Sequence, residues 1–310
     1  MKTIRIANTD LCVPQIALGC MRLGDRGPDG AKAFVDTALE LGLNFFDHAD
    51  IYGGGACESL FAQAAGMCPS VREKMILQSK CGIRRDPGKE TYFDFSKEYI
   101  LKSVDGILKR LQTEYLDILL LHRPDALVEP EEVAEAFEKL HSAGKVRYFG
   151  VSNEKPMQIE LLQKYVKNKL VINQLQFSIT NATMVSNGIN VNMANESAVD
   201  RDGSVLDYCR LHEITIQPWS PFQYGFFEGV FLGNPKFETL NKQIGMLAEK
   251  YGVTDSAIAI AWILRHPANM QPVLGSTNPE RIRAIAKAMD ITLTREDWYG
   301  IYCAAGNVLP

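Results

Sequence analysis

Eight short apolar runs punctuate the chain, and the stretches between them carry apolar residues at helical rather than alternating spacing. The runs are QIALGC (15–20), NFFDH (44–48), MILQSK (75–80), DILLLH (117–122), VRYFGVS (146–152), VINQLQ (171–176), ITIQPWS (214–220) and QPVLGS (271–276). Each is bounded by polar, Gly or Pro residues, the pattern of parallel strands covered on both faces. One such run alone is ambiguous; their recurrence is what predicts a sheet.

Amphipathic segments separate the runs. PDGAKAFVDTALELG (28–42) has Asp29 near its start and Gly42 at its end, and SKEYILKSVDGILKRLQ (96–112) opens on a capping Ser. Its Ile100, Val104, Ile107, Leu108 and Leu111 share one face. EPEEVAEAFEKLHSAGK (129–145) starts with acids and has a basic residue after Gly144, matching the helix dipole. Further helices are expected at 155–167, 204–211, 239–251 and 278–288, with two outside the alternation at 254–266 and 294–306. Residues 180–203 form the least regular stretch and are expected to be a long loop.

Alternating strands and helices in this number predict an α/β (β/α)8 TIM barrel with extra C-terminal helices. An open doubly wound sheet would carry a GxGxxG turn after its first strand, and none occurs. MKTIRIANTDLCVPQ before the first run is expected to form a short N-terminal hairpin plugging the barrel floor. The whole of residues 1–310 is expected to be a single barrel domain.

Composition narrows the class. At 310 residues the chain can bury a core without disulfide or metal staples. A net charge of −4 argues against a nucleic-acid partner. Seven scattered cysteines without a CxxC pair suggest a reducing compartment. No apolar run near the N-terminus is long enough for a signal peptide or anchor, so a cytoplasmic location without membrane attachment is expected.

Three of the runs carry, at or next to their last position, polar residues that packing does not require: Asp47, Lys80 and His122. The C-terminal ends of parallel barrel strands converge on one face. Tyr52, five residues beyond Asp47, falls in a loop on that face. A phenol with pKa about 10 is a poor proton donor near neutrality. An adjacent ammonium favours phenolate and is expected to lower that pKa, while a carboxylate keeps the lysine charged and oriented. The histidine can donate a hydrogen bond to a carbonyl oxygen. The four suit protonation of a carbonyl oxygen as hydride reaches its carbon.

With FDHADIYGGGACE, SKCGI, LLHRPD, GKVRYFGVSN, NQLQFS, PWSPF and GSTNPERI in this order and spacing, the chain resembles an aldo-keto reductase over about residues 1–290. The resemblance implies a catalytic set of Asp47, Tyr52, Lys80 and His122, with Tyr52 as general acid. It implies that Ser152, Asn153 and Gln174 hold the nicotinamide carboxamide and that Trp219 stacks on the ring. Ser220 and Phe222 would approach the pyrophosphate, and Met21 and Asp47 the nicotinamide ribose. Ser276 and Arg281 would meet an adenosine 2′-phosphate, so NADPH is the expected cofactor and NADH the weaker one. Many relatives carry a lysine where Gly275 stands and an asparagine where Ile285 stands, which loosens that preference. The implied substrate is a small carbonyl compound, and a monomer or weak oligomer is expected.

Each residue also has a plainer role. Asp47 could cap a loop, Lys80 end a strand in solvent, His122 bond within a turn, Tyr52 cap the core. Those roles do not explain all four arriving in order. His48, His141, His212 and His266 lack metal-ligand spacing and are expected on helix surfaces or loops, so no metal is expected. Arg123 and Asp125 are expected to pair or cap at the site mouth. Cys20, Cys57 and Cys81 lie near the site with no identifiable base. Tyr92, Phe93, Phe222, Tyr224, Phe226 and Phe227 are candidates for a substrate-pocket wall. Two other functions fit the same barrel: a nicotinamide-binding regulatory subunit, and a lyase or isomerase using Lys80 as a Schiff base.

Overall fold

The structure, a computed structural model, describes residues 2–310. Strands β1 (Thr3–Arg5) and β2 (Cys12–Pro14) form the antiparallel hairpin expected at the N-terminus. The barrel begins with β3 (Ala17–Gly19), β4 (Phe45–Asp47) and β5 (Ile76–Cys81). A two-stranded ribbon, β6 (Ile83–Arg84) with β7 (Tyr92–Phe93), rises from the loop after β5. The barrel continues through β8 (Leu116–Leu121), β9 (Val146–Ser152), β10 (Leu170–Gln176) and β11 (Thr215–Trp219). A second ribbon, β12 (Gln223–Tyr224) with β13 (Gly229–Val230), precedes the last barrel strand, β14 (Val273–Leu274).

The eight barrel strands are parallel and ordered β11-β10-β9-β8-β5-β4-β3-β14. The Gln271 N–H donates to the Ile216 carbonyl at 3.0 Å and joins the two end strands. All eight apolar runs are therefore barrel strands. Outside them lie α1 (Gly27–Glu40), α2 (Ala56–Ala65), a single turn α3 (Pro69–Arg72), α4 (Lys97–Leu111), α5 (Pro130–Ser142) and α6 (Pro156–Tyr165). The rest are α7 (Thr183–Ile189), α8 (Val205–Leu211), α9 (Glu238–Tyr251), α10 (Asp255–Leu264), α11 (Pro279–Ala286) and α12 (Arg295–Ala304).

Two elements depart from the sequence reading. The stretch 180–203 is not one long loop: it holds α7 and a 3-10 turn, Glu196–Ala198. Tertiary hydrogen bonds help hold it, including Tyr302 Oη donating to Ser186 Oγ at 2.9 Å. Helix α2 follows the glycine cluster directly, in a stretch where the sequence reading placed no element. Gly53 and Gly54 take φ of 58° and 63°, a left-handed conformation costly for other residues, and swing the chain from Tyr52 into α2.

Strand alternation sorts the side chains into two cores. Phe46, Leu77, Leu119 and Leu121 point outward into the large cluster beneath the helices. Phe45, Ile118, Leu120, Ile172 and Val273 point into the barrel and pack on Ile4, Ile6, Leu11 and Val13 of the N-terminal segment, which plugs the floor as expected. Space inside is tight: a Cβ on Gly150 would meet Ile172 O and Leu120 Cδ2 at 2.7 Å. Toward the opposite end the inward residues become polar. Gln78 and Lys80 are fully buried there, and the inward Gln217 and Gln271, also fully buried, continue the polar path down to the floor. No described helix is long and apolar enough to cross a membrane.

Candidate active site

Asp47 is the last residue of β4, Lys80 lies one residue before the end of β5, and His122 follows β8. Tyr52 opens the 3-10 turn Tyr52–Gly55. Adjacent parallel strands bring these positions together. Lys80 Nζ donates to Asp47 Oδ2 at 2.7 Å, to the His48 carbonyl at 2.8 Å and to Tyr52 Oη at 3.2 Å. The Tyr52 and His122 rings meet edge to face, 6.0 Å between centroids.

Electrostatics follow from this packing. Burial acts to neutralise Lys80, but the Asp47 carboxylate and the Tyr52 oxygen more than offset it and raise its pKa, so the ammonium persists. Burial and the positive charges of Lys80, Arg123 and Arg85 push His122 well below the ordinary histidine range. His122 is a neutral imidazole whose buried Nδ1 has no partner. Tyr52 corrects the sequence argument. Its withdrawal from water raises the phenol pKa; Lys80 opposes this, Asp47 adds to it, and the net shift is upward. The side chain therefore remains a phenol at neutral pH, with Lys80 placed to stabilise its oxygen once the proton leaves.

Below the carboxylate runs a relay of four glutamines. Asp47 Oδ1 accepts from Gln78 Nε2 at 2.6 Å and Gln174 Nε2 at 3.1 Å. Both amides also donate to Gln217 Oε1, at 2.8 and 3.0 Å. Gln217 Nε2 donates to Gln271 Oε1 at 2.8 Å, and Gln271 Nε2 to the Pro14 carbonyl at 2.7 Å. A carboxylate and a carbonyl can only accept, so the two ends fix which way every amide faces. Of the four, only Gln174 was singled out in the sequence.

A cavity of about 940 Å³ opens above the cluster. Asp47, Tyr52 and His122 line one part of it, and so do Met21, Ser152, Asn153, Gln174, Trp219, Ser220, Phe222, Ser276, Arg281 and Ile285. Every catalytic and cofactor-contacting residue from the sequence reading except Lys80 thus lines one cavity; Lys80 lies buried beneath it. Ser152 Oγ donates to the Gln174 carbonyl at 3.0 Å and accepts from Asn153 Nδ2 at 2.8 Å. Asn153 Oδ1 accepts from Trp219 Nε1 at 3.0 Å, and Phe227 stacks beside the indole at 5.9 Å. Asn153 and Ser220 take left-handed φ of 62° and 52°. These are conformations that tight turns at ligand sites often hold.

Several expectations change at the rim. Tyr92, Phe93 and Tyr224 do not line the cavity. Tyr92 donates to Asp86 and Tyr224 packs on Phe237, whereas Ile83, Arg85, Phe226 and Phe227 form the wall. Asp125 does cap, taking the Phe95 and Leu127 N–H groups, but Arg123 makes no ion pair with it. His48 is not at the surface: it is fully buried against Phe61, and burial together with the Lys80 charge lowers it to about 3. Burial raises the Cys20 and Cys81 thiols well above their usual range, which disfavours the thiolate at both.

Behind the site, burial and the nearby Glu58 charge raise Asp50 to about 7, despite the Tyr99 hydroxyl 3.2 Å from Oδ2. Glu154 reaches about 7 by burial and the Asp125 charge. A carboxyl whose folded pKa exceeds its unfolded value stabilises below the unfolded value, and that contribution is lost as pH rises through the folded one. Both groups therefore reduce stability between about pH 4 and 7. Urea unfolding of Asp50→Asn should show a gain over the parent that grows across this window and then levels. A gain constant from pH 4 to 8 would contradict the assignment.

Comparison with known proteins assigns this barrel and its strand-end cluster to a family of oxidoreductases. The family model for the aldo/keto reductase family matches residues 15–302, and the chain belongs to that family. It is 35% identical over 297 residues to the oxidoreductase YdhF of Escherichia coli, covering 94% of this chain and 93% of that protein. It is 34% identical to a 6-dehydroglucose reductase of Agrobacterium fabrum, with 97% of both chains covered. Among solved structures, the thermostable aldo-keto reductase Tm1743 superposes with a TM-score of 0.77 at 25% identity, covering 98% of this chain and 100% of that one.

Proposed function

We propose that the protein reduces the carbonyl group of a small aldehyde or ketone to an alcohol with NADPH, Tyr52 acting as general acid. The observation that carries this reading is a single cavity with Tyr52 and His122 at one part and Ser276 and Arg281 at another. A relative named for reduction of 6-dehydroglucose is consistent with a small carbonyl substrate.

The lining residues fit the chemistry of the cofactor. Gln174 donates its amide hydrogens inward to Asp47 and Gln217, which leaves its oxygen to accept from a carboxamide. Ser152 and Asn153 stand beside it. Gly275 lacks the lysine seen in many relatives, but Arg22 Nη1 lies 3.7 Å from where a Cβ on Gly275 would sit. Arg26 Nε donates to Thr277 Oγ1 at 3.1 Å. With Arg281, these cations suit the phosphates of a dinucleotide.

Reduced nicotinamide, when bound, supplies the hydride. His122 and Tyr52 orient the carbonyl oxygen by hydrogen bonding. Tyr52 gives its proton to that oxygen as negative charge develops, and Lys80 stabilises the phenolate left behind. Asp47, held by Gln78 and Gln174, keeps Lys80 charged and aimed. The protein is read as acting in the cytoplasm as a monomer or weak oligomer.

Two measurements test the reading. NADPH oxidation should proceed with at least some of a panel of simple aldehydes and ketones; tight NADPH binding with no turnover on any would favour a regulatory subunit. NADPH should also bind more tightly than NADH, and Arg281→Ala should narrow the gap by about tenfold or more, the loss of one charge-assisted phosphate contact. Equal dissociation constants for the two cofactors in the parent would remove the preference.

A further inference from the structure

Two cations at the cavity mouth have no counter-charge. Arg123 directly follows His122, and Arg85 follows strand β6; both line the cavity. Neither makes an ion pair or a side-chain hydrogen bond among the described residues. The nearby acids are engaged elsewhere. Asp125 caps two backbone N–H groups. Asp86 and Asp94 are taken by Arg84, at 3.0 and 2.9 Å. Asp47 is paired with Lys80.

Arg123 is also held in place. Its guanidinium lies 5.4 Å from the Trp219 ring and 5.7 Å from that of Phe226, so two aromatic rings flank it while its N–H groups find no acceptor among the described residues. It is half-buried, and burial lowers its pKa. Its charge and that of Arg85 are both felt at His122. The two guanidinium groups thus stand close to the reacting position.

Their parent strands set these two cations apart from the Ser276 and Arg281 end of the cavity. Arg85 and Arg123 follow β5 and β8, near the middle of the strand order, whereas Ser220, Ser276 and Arg281 follow β11 and β14, where the order closes. Arg123 also reaches Trp219 and Phe226 at the end of β11 and in the loop after it, so it is its position directly after His122, felt in that ring's electrostatics, that ties it to the reacting end. A neutral substrate would leave the half-buried Arg123 charge without a partner, whereas a carboxylate matches the planar guanidinium fork.

We propose that the substrate is a short oxo acid whose carboxylate is received by Arg123 and Arg85 while its carbonyl meets Tyr52 and His122. This rests on the carbonyl-reduction reading above and narrows it to an anionic class.

The test compares a series of short straight-chain oxo acids, each with its methyl ester, by steady-state NADPH oxidation. The acids should exceed their esters in kcat/KM by about tenfold or more, and the advantage should shrink as salt is raised. In Arg123→Ala the acid-over-ester ratio should fall by about tenfold or more, chiefly through KM, because the contact exists in ground and transition states alike. Arg123→Lys should restore part of it. Arg85→Ala, on an exposed loop where folding is not at stake, should lower the same ratio. Equal rates for acids and esters in the parent, or a ratio unmoved by all three substitutions, would overturn the proposal. Turnover of neutral carbonyls alone would overturn only this proposal; inertness to every carbonyl compound would overturn the reduction reading with it.

Discussion

Tyr52→Phe is expected to fold, to bind NADPH about as tightly as the parent, and to lose carbonyl turnover by two to four orders of magnitude, roughly the share that a positioned proton donor supplies. The substitution removes one oxygen. Lys80 keeps its bonds to Asp47 and the His48 carbonyl, so the buried ammonium is not orphaned. The ring still meets His122 edge to face, so packing changes little. What disappears is the phenol that burial keeps protonated. Steady-state NADPH oxidation beside a binding titration separates the effects. Parent-like turnover would take Tyr52 out of its role.

Lys80→Met should damage both stability and rate. The ammonium and the Asp47 carboxylate form a pair almost wholly removed from water. Deleting one member strands the other, at a cost of about 3–5 kcal/mol. Gln78 and Gln174 would still donate to Asp47, but neither carries charge. For the chemistry, the attraction between Nζ and a phenolate oxygen 3.2 Å away is on the order of 5 kcal/mol at an effective dielectric of about 20. Even half of that is worth about a hundredfold in rate. Urea unfolding and NADPH oxidation should both fall, and adding Asp47→Asn should recover stability without recovering turnover. Retained activity of the single variant at neutral pH would contradict the role given to Lys80.

How far the chain discloses itself differs from element to element. Its barrel strands were readable because parallel strands covered on both faces must be apolar nearly throughout, and no other element makes such short dense runs so regularly. Helix α2 is not legible in the sequence because ACESLFAQAA is short, rich in small residues and preceded by a run of glycines. Gly66, left-handed at φ 58° just past its end, was the available stop signal. In α7, TMVSNGI has weak helical preference, and its partners come from the far C-terminal segment, beyond any local window.

At the site, strand-end position was enough to suggest Asp47, Lys80 and His122. The sign of the Tyr52 shift was not, since a neighbouring charge can be inferred from order but the extent of burial cannot. Arg123 shows the same limit. Proximity to Asp125 suggested pairing, and only the fold reveals that backbone N–H groups had claimed that carboxylate. The glutamine relay is long-range throughout, drawing one residue from each of four strands or strand ends.

That relay gives the floor hairpin a reach beyond sealing the barrel. Pro14, whose carbonyl anchors the last amide, is wired through Gln271 and Gln217 to the two side chains gripping Asp47. A disturbance at the foot of the molecule, such as a shifted β2 strand, would reverse or loosen amide orientations one after another until it reached the ammonium beside the phenol. Distance from the reacting atoms is thus a poor guide to which residues this protein could lose without consequence.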